Sequence, residues 1–327
     1  MDFNNDIRAL NAIKNNGVVV CDRSNFGRIK VSDDDRIRFL HNQSTNNFQV
    51  LSPGQGCDTV FVTSTARTID LATAYILSDS VLLLVSPGQT QKLLQLMDKF
   101  IFFADKVKLT DITNETVTFS LIGTESDMII EKLGGGEIIG KDYANHQLIT
   151  WENIEIIIAV GSGLALPGYT LIMNKNDAGK FQEMLLQNDV ISLSEKLWER
   201  LRIQQGRPIP EQELTEDYNP LEARLWQTIS FTKGCYIGQE TIARLNTYKG
   251  VKQQLWGIKL SGYVTPGTII TIEGEKVGKL TSLTETETGY FGLGYIRTKA
   301  GGEGLKVQLG EITGNVVDVP FLSKAPD

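Results

Sequence analysis

The eight residues Lys233-Gly234-Cys235-Tyr236-Ile237-Gly238-Gln239-Glu240 gather a thiol, an ammonium, an amide, a carboxylate and two glycines. Few purely structural loops need all of these. A cysteine thiolate attacks electrophiles, exchanges disulfides and binds metals, and a cationic neighbour or a helix N-terminus favours that ionised form. The helical character of Thr241-Ile242-Ala243-Arg244-Leu245 predicts that Cys235 stands just before a helix N-terminus, with Lys233 beside it. That is the setting of a reactive or redox-sensitive cysteine. Gly234 and Gly238 would permit positive φ angles or a close backbone approach to a ligand. The plain alternative is a cysteine that fills a turn, because unpaired cysteines are among the most buried residues.

Other chemistries have little raw material. Cys21, Cys57 and Cys235 are odd in number and far apart, with no C-x-x-C, so a self-contained zinc or iron–sulfur site is not expected. Cys21 and Cys57 read as buried fillers. The two histidines, His41 and His146, cannot build a multi-histidine centre, and each reads as an ordinary surface or packing residue. Asp33-Asp34-Asp35 opens a helix and serves its macrodipole without a metal, and Gly134-Gly135-Gly136 is a turn lacking the Lys-Ser/Thr of a phosphate loop. A formal charge of −7 argues against a general polyphosphate or tRNA binder held by non-specific attraction. The apolar runs Val81–Val85 and Ile154–Val160 fall far short of the roughly 20 residues that span a bilayer. The first residues carry neither a secretory nor a transit signature, which fits a bacterial cytoplasm, or an organelle stroma or matrix after removal of a presequence.

The elements that must position the cysteine motif follow from hydrophobic period and turn signals. Strand-like Gly27–Val31 leads into a capped amphipathic segment through Leu40, then strands at 58–63, 69–77 and 80–85 and a helix from Ser86-Pro87-Gly88-Gln89 carrying Leu93, Leu94, Met97, Phe100 and Ile101. A second round has strands at 117–122, 147–151, 154–160 and 169–173, with helices near 126–133 and 178–187. Two split β-α-β-type units are expected. A capping box at Ser192–Glu195 predicts a further helix, and Asn219-Pro220-Leu221-Glu222 predicts another through Trp226. From Gly250 onward stand 14 of the 31 glycines, with short period-2 runs at 255–260, 268–272, 290–296, 305–309 and 315–319, the pattern of a small antiparallel barrel or sandwich. The expected division is residues 1–104 with 192–249 as a discontinuous first unit carrying the cysteine motif, 105–191 as an inserted second unit, and 250–327 as the barrel.

The motif Lys-Gly-Cys-Tyr-Ile-Gly-Gln-Glu resembles the signature of the YgfZ group, folate-binding proteins related to the T-protein, the aminomethyltransferase of the glycine cleavage system. Further resemblances run in the same order along the chain. Phe39-Leu40-His41-Asn42-Gln43-Ser44-Thr45-Asn46-Asn47 resembles F-L-x-x-x-x-T-N-D, and Ala66-Arg67-Thr68-Ile69-Asp70 resembles G-R-x-x-D. Arg202 to Pro208 resembles R-x-x-x-G-x-P, and Asn219-Pro220-Leu221-Glu222 resembles N-P-x-E. The resemblance implies an α+β fold of two ferredoxin-like units and a C-terminal antiparallel β-barrel, arranged around a central tetrahydrofolate cavity.

On that resemblance Cys235 and Asp70 are the chemical groups. Lys233, Gly234, Tyr236, Gly238, Gln239, Glu240, Arg202, Gln204, Asn46 and Glu222 are the residues nearest the folate, with no metal. T-proteins place an acidic residue in an R-x-E-x-G helix against the pterin; this chain has Gln204, for which Glu222 is a stand-in. Arg202, Arg207 and Arg244, read as surface arginines, are candidates for the glutamate tail. T-proteins also carry an Asp-Asp pair where this chain has Asp70-Leu71, and they lack the cysteine. The implied role is therefore a monomeric folate-dependent factor for assembly or repair of iron–sulfur enzymes, including tRNA-modifying ones, acting on client proteins and not on nucleic acid or membranes. A folate-dependent aminomethyl or methyl transferase, with Asp70 steering the amine, and a partner-binding module without folate are the alternatives.

Overall fold

The computed structural model describes residues 3–15 and 17–324. The chain forms two compact units: one runs up to His41 and takes in Asn47–Thr59 and Ala72–Trp198, and the other takes Asn42–Asn46, Val60–Leu71 and the chain from Glu199 onward.

The first unit begins with α1 (Phe3–Lys14), β1 (Val19–Asp22), β2 (Gly27–Ser32) and α2 (Arg36–Gln43). Next come β3 (Gly56–Val62), β4 (Thr68–Ile76), β5 (Ser80–Val85), α3 (Thr90–Asp98), β6 (Lys108–Asp111), β7 (Thr116–Ile122) and α4 (Ser126–Lys132). It finishes with β8 (His146–Trp151), β9 (Ile154–Val160), β10 (Gly168–Asn174), α5 (Ala178–Gln187) and β11 (Ile191–Ser192). One sheet has the order β11-β1-β7-β10-β9-β8 and the other β3-β4-β5-β2-β6. Alternation decides which face of β9 is inside: Ile154, Ile156 and Ile158 enter a core with Phe119, Leu121 and Leu171, covered by Ile129 and Ile130 of α4 and Phe181 and Leu185 of α5. β5 has no alternation because it is buried along its whole length, and Leu82 and Leu84 pack with Ala159 and Ile172 of the other sheet.

In the second unit α6 (Glu195–Gln205), which starts in the first unit, and α7 (Gln239–Thr247) precede six strands: β12 (Gln253–Leu260), β13 (Ile269–Ile272), β14 (Glu275–Thr286), β15 (Gly289–Arg297), β16 (Lys306–Leu309) and β17 (Ile312–Val317). They close into an antiparallel barrel of order β12-β15-β14-β13-β16-β17, filled by Ile258, Ile270, Leu280, Ile296, Val307 and Val316. Gly278 is required by space, since a Cβ there would lie 2.1 Å from the Tyr295 carbonyl oxygen. The fold is α+β, with two ferredoxin-like sheets and a closed barrel, as expected.

Several elements differ from expectation for identifiable reasons. β14, the longest strand, was not predicted, because Lys, Thr, Ser and Glu dominate it and a bulge between Leu280 and Ser282 breaks its alternation. The stretch from Asn219 to Leu225 forms turns and not the expected α-helix. The Asn219 side-chain oxygen does accept from the Leu221 and Glu222 N–H groups, but Arg224 adopts φ +56° and ends the turn, its guanidinium held by Asp318 at 2.8 Å and stacked 4.2 Å from the Trp256 ring. α3 ends at Asp98, so Phe100 and Ile101 lie beyond it. The cap of α6 is Ser194 and not Ser192: Ser194 Oγ accepts from the Leu197 N–H at 3.1 Å.

His146 is buried at the start of β8, its Nε2 3.1 Å from the Ile76 carbonyl and its Nδ1 3.3 Å from that of Ala144, with the ring edge-on to Tyr75. Burial holds its pKa below the ordinary 6.5, against the two carbonyls that raise it. A depressed histidine adds stability above its unfolded pKa and loses it as pH falls. Stability of the native chain to urea is expected to fall from pH 7 toward pH 5, and His146→Gln to flatten that slope; an unchanged slope in the variant would contradict a neutral buried ring.

Candidate functional site

The loop that carries the cysteine motif is anchored by its first and fourth residues, Lys233 and Tyr236. The Lys233 ammonium is buried and donates to the carbonyls of Ser44 and Asn46, each at 2.7 Å, while lying 4.6 Å from the centre of the Tyr236 ring. Backbone bonds complete the attachment: Ile237 N–H to the Asn42 carbonyl and Ser230 N–H to the Thr45 carbonyl. Thr45 is itself a fixed point, its hydroxyl donating to the Thr228 carbonyl at 2.7 Å and accepting from the Val60 N–H at 3.0 Å. The stretch resembling F-L-x-x-x-x-T-N-D thus acts as the floor of the cysteine loop.

Tyr236 anchors the other side. It is buried with Ala66, Leu221, Trp226, Ile229 and Ile242, and burial pushes its phenol up to about 12, so it is a neutral packing group at any ordinary pH. Gly238 then turns the chain into α7 with φ +81°. A Cβ at Gly238 would meet the Thr63 carbonyl oxygen and Val62 Cγ2 at 2.9 Å, so both conformation and space demand glycine there. Cys235, Gly234 and Glu240 are exposed and Gln239 is half-buried, its amide donating to the Lys233 carbonyl at 3.4 Å. The thiol is carried three residues before Gly238, the residue that caps α7, on a loop pinned on both sides.

The remaining expected residues fall into separate surroundings. Asp70 lies fully buried on β4 beside the equally buried Leu71. Gln204 is half-buried on α6, and its neighbour Gln205 has a buried Oε1 without a hydrogen-bond partner. Trp226 Nε1 and Trp256 Nε1 are buried donors in the same condition. Unsatisfied buried polar atoms call for a missing partner such as a ligand or water. The three lie in different surroundings of the second unit: Gln205 at the end of α6, Trp226 in the cluster with Tyr236 and Ile242, and Trp256 against the barrel core beneath Arg224.

Arg202 and Arg207 are not surface arginines. The Arg202 guanidinium is taken up by Glu199 at 2.6 Å, Glu213 at 3.1 Å, Gln212 at 3.1 Å and Ser282 at 3.0 Å. Burial works against its charge, but the two carboxylates outweigh it and hold its pKa above the usual value. Arg207 is buried against the Phe321 ring, and only Arg244, on α7, is exposed. Glu213, fully buried, accepts from the Thr281 and Ser282 hydroxyls and from the Ile209 N–H. Sequence reasoning missed it, because nothing in Ile209-Pro210-Glu211-Gln212-Glu213 marks one of three polar residues as interior. It missed the Tyr218–Tyr295 stack too, with ring centres 3.5 Å apart.

Glu222 lines a different cavity, shared with Arg67, Lys252 and Gln253 and not with Asp70, Gln204 or Cys235. Burial raises its pKa, offset in part by the Asn219 N–H, the Gln253 side chain and the charges of Arg67 and Lys252. No group of three or more His, Cys, Asp or Glu side chains suited to a metal occurs among the described residues, and no described helix is long and apolar enough to cross a membrane.

Comparison with known proteins places this geometry. Residues 5–233 match the family described as GCVT N-terminal domain. A protein of Arabidopsis thaliana named "Putative transferase At1g60990, chloroplastic" is 51% identical over 325 residues, covering 98% of this chain and 75% of that protein. An aminomethyltransferase of Halothermothrix orenii is 27% identical over 92% of this chain and 87% of its own. The crystal structure of glycine cleavage system aminomethyltransferase T from Bartonella henselae superposes with a TM-score of 0.81 over 93% of this chain and 86% of that one, at 18% identity, a likeness of fold.

The three thiols are expected to separate by reactivity in the order of their exposure: Cys235 is exposed, Cys57 is half-buried and not the buried filler expected, and Cys21 is buried. Cys21 is buried, and burial, only partly opposed by Arg23, pushes its thiol up to about 12. In a timed assay with a thiol-specific disulfide reagent, the native chain is expected to give one fast thiol that Cys235→Ser removes, with Cys21 reacting only on unfolding. Lys233→Met leaves two carbonyls without their donor and is expected to destabilise the chain by about 2–4 kcal/mol in urea unfolding. Cys235→Ser is expected to change stability by less than about 0.5 kcal/mol.

Proposed function

Because the chain belongs to the GCVT N-terminal domain family, with its aminomethyltransferase fold, we propose that it binds tetrahydrofolate and supports the assembly or repair of iron–sulfur enzymes through the exposed thiol of Cys235. The observation that carries this reading is the division of labour in the cysteine loop: Lys233 and Tyr236 are buried and anchor it, whereas the sulfur between them faces outward. A thiol kept only to fill a turn would be buried. When bound, tetrahydrofolate supplies a carrier for one-carbon groups. Gln204, with an amide in place of a carboxylate, and the unpartnered Gln205 Oε1 would meet the pterin edge. Asp70 is a buried carboxylate that would stand beside a reacting amine, and Leu71 takes the place of the second carboxylate that the T-protein pattern carries.

Arg202 acts in this reading as the brace that fixes α6 and not as a ligand for the glutamate tail, since Glu199 and Glu213 already engage it. The exposed Arg244 is left for that tail. The relative named as chloroplastic supports an organellar setting. A second reading, a folate-dependent aminomethyl or methyl transferase, is favoured by the relatives named as transferases and by the burial of Asp70. In that case Cys235 is incidental.

Calorimetric titration of the full chain with tetrahydrofolate under anaerobic conditions is expected to show one saturable site, retained in Cys235→Ala. The same variant is expected to lose rescue of iron–sulfur enzyme activity in cells lacking the native factor. Full rescue by Cys235→Ala, together with turnover of a lipoyl-bound aminomethyl substrate that Asp70→Asn abolishes, would establish the transferase instead. Absence of any saturable heat would remove folate from the account.

A further inference from the structure

Four cations converge on one cavity of about 810 Å³ in the second unit. Arg67 comes from the connection between β3 and β4, Lys252 immediately precedes β12, Arg297 ends β15 and Lys299 follows it. Two carboxylates, Asp217 and Glu222, share the wall, so positive groups outnumber negative ones two to one in a chain whose formal charge is −7. None of the four cations forms an ion pair with a described carboxylate, in contrast to Arg202 and Arg224 of the same unit, which do. Arg67 is steadied from behind by donating to the Asp217 carbonyl at 3.1 Å. The three basic residues of the barrel are set by its hydrogen bonding: Gln253 pairs with Arg297 across the β12–β15 ladder. The Thr298 N–H donates to the Lys252 carbonyl and its hydroxyl to that of Val251, both at 2.9 Å.

The rest of the wall says what kind of molecule fits. Val251 is the single apolar side chain among the lining residues, which leaves no platform for a ring system. Glu222, buried and with burial raising its pKa, accepts from the Asn219 N–H at 3.1 Å, so its position is fixed at the cavity floor. With four cations and two carboxylates on its wall, the cavity carries a local excess of positive charge that favours a ligand with dense negative charge. We propose that this cavity binds a compact polyanion with at least two negative charges on phosphate or carboxylate oxygens, gripped by Arg67, Lys252, Arg297 and Lys299. The site is separate from the cysteine loop and stands whether or not the folate reading does.

The test is calorimetric titration of the full chain, at constant ionic strength set with sodium chloride, with inorganic pyrophosphate and separately with citrate. At least one is expected to bind at a single saturable site, and whichever binds more tightly identifies phosphate or carboxylate as the natural oxygen donor. The triple change Lys252→Gln, Arg297→Gln and Lys299→Gln, all at exposed positions, is expected to weaken that binding roughly tenfold or more and to lower its dependence on salt. No saturable heat for either anion at millimolar concentration, or equal affinity in the triple variant, overturns the proposal. Should the triple variant not fold, Lys299→Gln alone is expected to weaken binding about threefold with unchanged tetrahydrofolate titration; equal affinity there overturns it as well.

Discussion

A buried ammonium fixes the part of the molecule where chemistry is expected. Lys233 reaches from the cysteine loop to the carbonyls of Ser44 and Asn46, tying a late stretch of the chain to one nearly two hundred residues earlier. A charge-assisted hydrogen bond is roughly twice as strong as a neutral one, and the bond to the Ser44 carbonyl is buried, where water cannot replace the ammonium. Everything about the loop follows from that attachment. With Lys233 directed down and Tyr236 packed beside Trp226 and Ile242, the two residues between them, Gly234 and Cys235, are left exposed. The exposure of Cys235 is therefore imposed by its neighbours and not by its own character.

The same logic explains why the motif was legible in the sequence while its internal roles were not. Spacing revealed that Lys233, Cys235 and Gly238 belong together, and the structure keeps them in one loop ahead of α7. Residue type suggested that Lys233 faces the thiol or a ligand, because an ammonium is usually solvated. It is buried instead, and the information that would have said so resides in the chain near Thr45, which offers its carbonyls only after folding. Gly238 was readable as a positive-φ position, but the 2.9 Å approach of the Thr63 carbonyl could not be inferred from local pattern.

Arg202 and Glu213 make the complementary point. An arginine in an amphipathic helix is ordinarily at the surface, and nothing local separates Glu213 from Glu211. Their burial depends on β14, whose bulge between Leu280 and Ser282 turns the Ser282 hydroxyl toward both. That strand was itself invisible, since a polar sequence with a broken period gives no alternation to read. The glycine-rich composition announced a barrel and most of its strands, and the buried charge cluster that the barrel covers needed the one strand that composition concealed. The false helix after Asn219 has a similar origin: its capping bonds form as predicted, and Arg224 leaves the helical region to reach Asp318 and the Trp256 ring.

These placements sharpen the choice between an accessory factor and a transferase. Catalysis on a transferred one-carbon group needs groups held around the reacting amine in a water-poor setting. Asp70 has the burial for such a task, but Leu71 beside it is hydrocarbon. Reaction with another protein needs the opposite: a nucleophile at the surface, on a loop stiff enough that its geometry is not lost when a partner approaches. Cys235 has the exposure, and Lys233, Tyr236 and Gly238 supply the stiffness. A buried lysine and a sterically obligatory glycine would stiffen this loop in either reading; what separates the two readings is the exposed sulfur itself, which carries the first and is incidental in the second.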